Sequence, residues 1–184
     1  MPSAPPSDDP SVVVIMGVSG CGKSTIAAML AQRLNWTYED GDWFHPRSNI
    51  EKMHHGEPLT DEDRWPWLHG MAAWIDATRR IGNHATLACS ALKRAYRDIL
   101  IGSRRDVRLV HLQGDRDLIA RRMAARDGHF MPPALLDSQF AALEEPGPDE
   151  RPVVVSIAPH PREIVDLVLD GLKTPVPEPT NQRS

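Results

Sequence analysis

Short apolar runs alternate along this chain with longer stretches in which apolar residues recur every three to four positions. Val12-Val13-Val14-Ile15-Met16 is continuous and rich in β-branched residues, the pattern of a strand buried on both faces. Ile26, Ala27, Leu30, Ala31 and Leu34 then fall on one helical face. Trp36 to Glu39 reads as a weaker strand. Trp67, Leu68, Met71, Trp74, Ile75 and Thr78 mark an amphipathic helix, with Pro66 suited to its first turn. Ala85 to Cys89 and Val107 to Leu112 read as strands, with a short helix around Tyr96, Ile99 and Leu100 between them. Helices follow around Leu118 to Met123 and Leu135 to Leu143. A late strand, Val153 to Ile157, precedes a last helix carrying Ile164, Val165, Val168, Leu169 and Leu172. This alternation predicts an α/β domain of three layers, a mostly parallel sheet with helices on both faces. Ligands of such sheets bind beyond the carboxyl ends of the strands.

The ends break the pattern. Residues 1–10 are rich in Pro, Ser and Asp, and 174–184 carry Pro175, Pro177 and Pro179, so both read as disordered tails around one domain at 11–173. No apolar run is long enough to cross a bilayer, and residues 1–10 have neither the basic nor the apolar region of a signal peptide. With two cysteines, Cys21 and Cys89, the chain reads as a cytoplasmic protein with reduced thiols. A net charge of -4 excludes a global basic field for nucleic acid, so an anionic ligand needs a local cluster of Lys and Arg.

The chemistry starts immediately after the first strand. Gly17-Val18-Ser19-Gly20-Cys21-Gly22-Lys23-Ser24 matches G-x-x-x-x-G-K-[ST] in full and opens a helix. Glycines let the backbone wrap so that consecutive N–H groups face phosphate oxygens, and the helix N-terminus favours the anion. Lys23 is expected to reach the β- and γ-phosphates of ATP, the Ser24 hydroxyl to ligate Mg²⁺, and Thr25 to add a contact near the α-phosphate. Neither a D-x-x-G switch nor an N-K-x-D base-reading string occurs, which favours a kinase over a regulatory GTPase.

Asp40-Gly41-Asp42 follows the second strand. In an extended segment the two carboxylates share a face. Phosphoryl transfer to an alcohol uses one acid near Mg²⁺ and another to accept the hydroxyl proton. Asp42 is assigned to the substrate hydroxyl and Asp40 to the magnesium shell; the reverse is the alternative. His45 and Arg47 offer a hydroxyl contact and a carboxylate partner, although a lone His is more often structural. His54 and His55 read as a solvated patch. Asp61 to Trp67 reads either as a helix start, with Asp63 near the cap and the indole rings in the core, or as a segment placing Arg64 in the acceptor pocket. Arg121, Arg122 and Arg126 precede Gly128-His129-Phe130 and suggest a lid over the nucleotide at about 124–134; the alternative is a solvated basic face.

Several segments together resemble the gluconokinase family, the thermoresistant type within the shikimate kinase-like P-loop kinases. They are Met16 to Ser24; Asp40-Gly41-Asp42 with His45-Pro46 and Asn49 to Met53; Gly56 to Arg64 leading to Pro66-Trp67-Leu68; Cys89-Ser90-Ala91-Leu92-Lys93 with Tyr96-Arg97-Asp98; Gly128-His129-Phe130; and Ser138-Gln139-Phe140 with Leu143 to Pro146. The resemblance implies a P-loop kinase fold with a mobile lid, commonly a homodimer, that transfers the γ-phosphate of ATP to the 6-hydroxyl of D-gluconate. It carries substrate binding to Asp42, His45, Arg47 and Lys93, with Arg64 and Arg97 as further candidates, and places Arg122 near adenine and Arg126 in the lid as a catalytic cation. An anionic polyol suits a pocket of cations and hydroxyl-binding groups. Cys21 stands where relatives usually carry Ser, and its place near a helix N-terminus predicts raised thiolate character. Two other readings compete: a kinase for another small polyol acid or for shikimate, and a nucleotide-binding module without turnover.

Overall fold

In the computed structural model, residues 10–125 and 133–173 are described. Five strands, β1 (Val12–Met16), β2 (Thr37–Asp40), β3 (Ala85–Ala88), β4 (Val107–Gln113) and β5 (Val153–Ser156), form one sheet in the order β2-β3-β1-β4-β5. Every pairing is parallel. β1 lies at the centre, with Val12 level with Ala85 on one side and Val107 on the other. All five of its residues are buried, which is why it reads as a continuous apolar run.

Alternation along β1 divides the core in two. Val13 and Ile15 pack with Ile26, Ala27 and Leu30 of α1 (Lys23–Leu34) and with Ile164, Val165 and Val168 of α7 (Pro161–Lys173). Val12, Val14 and Met16 face the other way, onto Leu68, Met71 and Ile75 of α3 (Asp61–Arg80) and Tyr96 and Leu100 of α4 (Arg94–Leu100). The three predicted layers are therefore present. α5 (Arg116–Ala124) and α6 (Pro133–Ala142) add Ile119 and Leu136 to the α1 side.

Three local expectations need correction. α3 starts five residues before the proline, behind the N-cap Thr60, whose Oγ1 accepts from the Asp63 N–H while the Asp63 carboxylate accepts from the Thr60 N–H. Pro66 is therefore inside the helix, where it cannot donate to the carbonyl of Glu62, and it lies on the exposed face. Second, a helix absent from the sequence reading, α2 (Arg47–His54), follows the acidic pair. Its single buried residue is Asn49, so it carries no apolar stripe to betray it. Third, Asp40-Gly41-Asp42 does not run extended. Asp40 caps a 3₁₀ turn over Gly41–Phe44 by accepting the Asp42 N–H at 3.0 Å. The turn packs so closely on β3 that a Cβ at Gly41 would lie 2.8 Å from the Ala88 carbonyl oxygen.

Candidate functional site

The loop from Gly17 to Gly22 joins β1 to α1 at the carboxyl edge of the sheet. Gly20 and Gly22 hold φ of 81° and 98°, left-handed values that let the loop turn its amides inward. The loop floors a cleft of about 230 Å³, walled by Asp40 and Asp42 on one side and by Ala88, Cys89 and Ser90 at the end of β3. Ser19, Gly20, Gly22, Lys23, Ser24 and Thr25 all line it. Val18 and Cys21 are instead buried beneath the loop, where their side chains anchor it to the core. Lys23 Nζ donates to the Val18 carbonyl at 3.1 Å, which holds the cation over the loop.

The two acids are distinguished by their partners. Asp40 Oδ2 accepts from Ser24 Oγ at 2.7 Å and from Tyr38 Oη at 2.9 Å. Burial pushes the Tyr38 phenol up, which keeps it a donor. Tyr38 and Asp40 lie two apart on β2, so they share a face; that spacing was available to find Tyr38, which the sequence reading missed. Asp42 is exposed, stands at the cleft, and is not tied to a side chain by any hydrogen bond among the described residues. Ser24 and Asp40 thus present two hard oxygens side by side. That suits a cation which keeps several waters and takes its remaining ligands from phosphates, as Mg²⁺ does.

A polar path leads away from Asp42. His45 stacks on the Trp67 indole with centroids 4.4 Å apart and planes 11° apart. Trp67 Nε1 in turn donates to the Gly41 carbonyl at 2.6 Å. Burial lowers the His45 pKa, the Asp42 carboxylate raises it less, and the Arg64 guanidinium lowers it further, so the ring is neutral at pH 7. Arg64 donates to the Leu59 carbonyl at 2.7 Å and lies 3.8 Å from Asp61. Asp61 also accepts from Lys93 Nζ at 3.0 Å through both oxygens and from Tyr96 Oη. The hydrogen bonds from Tyr96 and Lys93 hold the Asp61 carboxyl below its usual range. Asp42, His45, Arg64 and Lys93 are therefore brought together, with Asp61 as the anion that gathers the cations.

Other candidates fall elsewhere. Arg97, expected as a substrate contact, is 2 % exposed and has no free donor face. Its Nε and Nη2 grip Glu150 at 2.6 and 3.0 Å, and its Nη1 donates to the carbonyls of Ala91 and Leu92, each at 3.0 Å. Ala91 adopts φ of 47°, so the guanidinium fastens a turn that an alanine resists, just before Lys93. Arg97 acts on the site by shaping that turn. Arg47 leaves the cluster altogether: its side chain is 92 % exposed and pairs with Glu51 at 3.0 Å along α2. Arg122 reaches the Ala158 carbonyl at 3.4 Å, which links α5 to the loop after β5. Arg126 and most of the expected lid lie outside the described residues, as do both expected tails beyond Pro10. The raised thiolate character expected of Cys21 is reversed, because burial pushes its thiol up by more than Lys23 lowers it.

No helix among the described residues is long and apolar enough to cross a membrane. Residues 13–131 match a family model described as an AAA domain, a class of P-loop proteins. A gluconokinase of Gluconobacter oxydans (strain 621H) is 47 % identical over 163 residues, covering 89 % of this chain and 89 % of the relative. The thermoresistant gluconokinase of Escherichia coli (strain K12) is 44 % identical over 166 residues, covering 90 % and 95 %. The crystal structure of a gluconokinase from Sinorhizobium meliloti 1021 superposes with a TM-score of 0.81 at 43 % identity, covering 89 % of this chain and 91 % of that one.

Proposed function

This chain belongs to the gluconokinase family, and from that membership we propose that it transfers the γ-phosphoryl group of ATP to the 6-hydroxyl of D-gluconate, giving 6-phospho-D-gluconate and ADP. The observation that carries the reading is the cleft itself, in which the phosphate-binding loop and Asp42 face one another across a space of about 230 Å³.

The placement of the described side chains supports this mechanism. Amides of the 17–22 loop and Lys23 hold the triphosphate and balance charge on the group in transit. Asp42 accepts the proton of the 6-hydroxyl as that oxygen forms its bond to the γ-phosphorus, and the bond from phosphorus to the bridging oxygen of ADP breaks. Mg²⁺, when bound, would neutralise phosphate charge; Ser24 and Asp40 are the residues that would hold it, and Tyr38 orients Asp40. Lys93 and Arg64 meet the gluconate carboxylate, and neutral His45 meets a hydroxyl. Arg122 with the loop at Ala158 lies against the base, and Arg126 supplies a further cation to the phosphoryl group. The family resemblance supports a homodimer working in the cytoplasm.

The test is product identification by mass after incubation with ATP, Mg²⁺ and D-gluconate, run beside shikimate and other sugar acids. A mass gain of one phosphoryl group on gluconate alone is expected. Tight ATP binding with no acceptor phosphorylated would instead leave a nucleotide-binding module.

A further inference from the structure

Gln139, within the Ser138-Gln139-Phe140 segment, holds the phosphate-binding loop. Both the backbone N–H and the Oγ of Ser19 donate to Gln139 Oε1 at 3.3 Å, across 120 positions of sequence. Ser19 lines the cleft, so one acceptor on α6 occupies a donor of the loop that cradles phosphate.

The far end of the same segment reaches the acceptor side. Glu144 donates its N–H to the Leu92 carbonyl at 2.8 Å, and its carboxylate accepts the Arg94 N–H at 2.7 Å. Residues 139–144 therefore run from the phosphate loop to the turn that carries Lys93. A neighbouring contact fixes the same loop from α5, where a Cβ at Gly20 would lie 2.6 Å from Met123 Sδ. α5 and α6 are also joined, by Arg116 and Asp137. Among the described residues, Gln139 Nε2 makes no hydrogen bond.

We propose that Gln139 is a nucleotide-contacting residue that couples the phosphate loop to the acceptor turn. Before nucleotide arrives, its Oε1 holds the Ser19 donors. When a triphosphate takes the Ser19 N–H, the carboxamide turns its Nε2 donors onto a phosphoryl oxygen, beside the acceptor hydroxyl. The role needs a neutral group that both accepts and donates, as a carboxamide does. This rests on the kinase reading above, but its decisive measurement is nucleotide affinity, which needs no acceptor.

Gln139→Glu separates this role from a structural tether. The carboxylate still accepts from Ser19, and more strongly, so a tether survives or improves. It loses both donors and sets negative charge against the triphosphate. We expect the Kd for a non-hydrolysable ATP analogue to rise at least about ten-fold, kcat for gluconate to fall by about 10²-fold, and Tm to stay within a few degrees of wild type. Gln139→Met, of similar length and neutral, loses donor and acceptor together and is expected to weaken the analogue by about three-fold. Gln139→Glu with wild-type analogue affinity and kcat overturns the proposal. If that variant does not fold, Gln139→Met with unchanged affinity overturns it. Should wild type bind the analogue but fail to phosphorylate gluconate, the substrate reading falls, and the affinity comparison still decides the role of Gln139.

Discussion

Ser24 Oγ donates to Asp40 Oδ2 at 2.7 Å, joining the first turn of α1 to the end of β2. Tyr38 shares the same carboxylate oxygen, so the acid is oriented before any cation arrives. Asp40→Asn keeps the shape but removes the charge. The expected result is a kcat reduced by about 10²-fold and a higher Mg²⁺ concentration for half-maximal rate, read from a magnesium titration at saturating ATP. Tyr38→Phe is expected to shift the magnesium dependence in the same direction by a smaller factor.

Asp42, free of side-chain hydrogen bonds among the described residues and at the cleft wall, is expected to act on the proton and not on the nucleotide. Asp42→Asn therefore leaves ATP affinity nearly intact and lowers kcat by about 10²- to 10⁴-fold. Lys23→Ala abolishes turnover, because charge on the transferring group loses its cation. Steady-state kinetics with both substrates varied separates the two patterns. An Asn variant with wild-type kcat removes Asp42 from the proton step.

Arg97 and Glu150 form a pair with side chains only 1 % and 8 % exposed. Arg97→Met leaves a buried carboxylate uncompensated and takes the guanidinium donor from the Ala91 and Leu92 carbonyls, and is expected to cost roughly 3–5 kcal/mol in urea unfolding. Gluconate affinity in whatever fraction stays folded should fall through the loosened Ala91–Lys93 turn. Arg97→Lys is expected to fail as well, since an ammonium cannot hold carboxylate and carbonyls from one plane.

His111 on β4 is 2 % exposed, and its Nδ1 lies 3.4 Å from a Glu145 oxygen without making a hydrogen bond. Burial lowers its pKa, Glu145 opposes this, and Arg97 adds to it, so the ring is neutral and the contact is no ion pair at pH 7. The unfolded chain binds the proton more readily than the folded one. Stability is therefore fully present above pH 6.5 and falls as pH drops through the window between 6.5 and the lower folded pKa. His45 contributes in the same direction. The slope is at most about 1.4 kcal/mol per pH unit for each proton. Urea melts at pH 7.5, 6.5 and 5.5 are expected to show it, and His111→Leu to flatten it.

Both cysteines are buried, and burial pushes the Cys89 thiol up to about 12 and the Cys21 thiol up as well. Iodoacetamide at neutral pH is expected to label the native protein slowly and the urea-unfolded protein fast, with activity retained over the native time course. Rapid native labelling of Cys21 with loss of activity would restore the reactive thiol that the loop position suggested.

Much of this protein is set by short-range pattern. The run at Val12–Met16 reads as a central strand because every side chain is apolar, and a glycine-lysine-serine loop between strand and helix reads as a phosphate cradle because its glycines let the backbone wrap around an anion at a helix N-terminus. Period and spacing act over a few residues, so they survive in one dimension. Tertiary structure decided the rest. Arg97 and Lys93 are equally charged four positions apart, yet one is locked onto Glu150 and the other stands beside Asp61, because burial depends on what the fold brings from 53 and 32 positions away. The helix α2 and Gln139 on Ser19 were hidden for the same reason: a polar side chain declares its role only when its partner is in place.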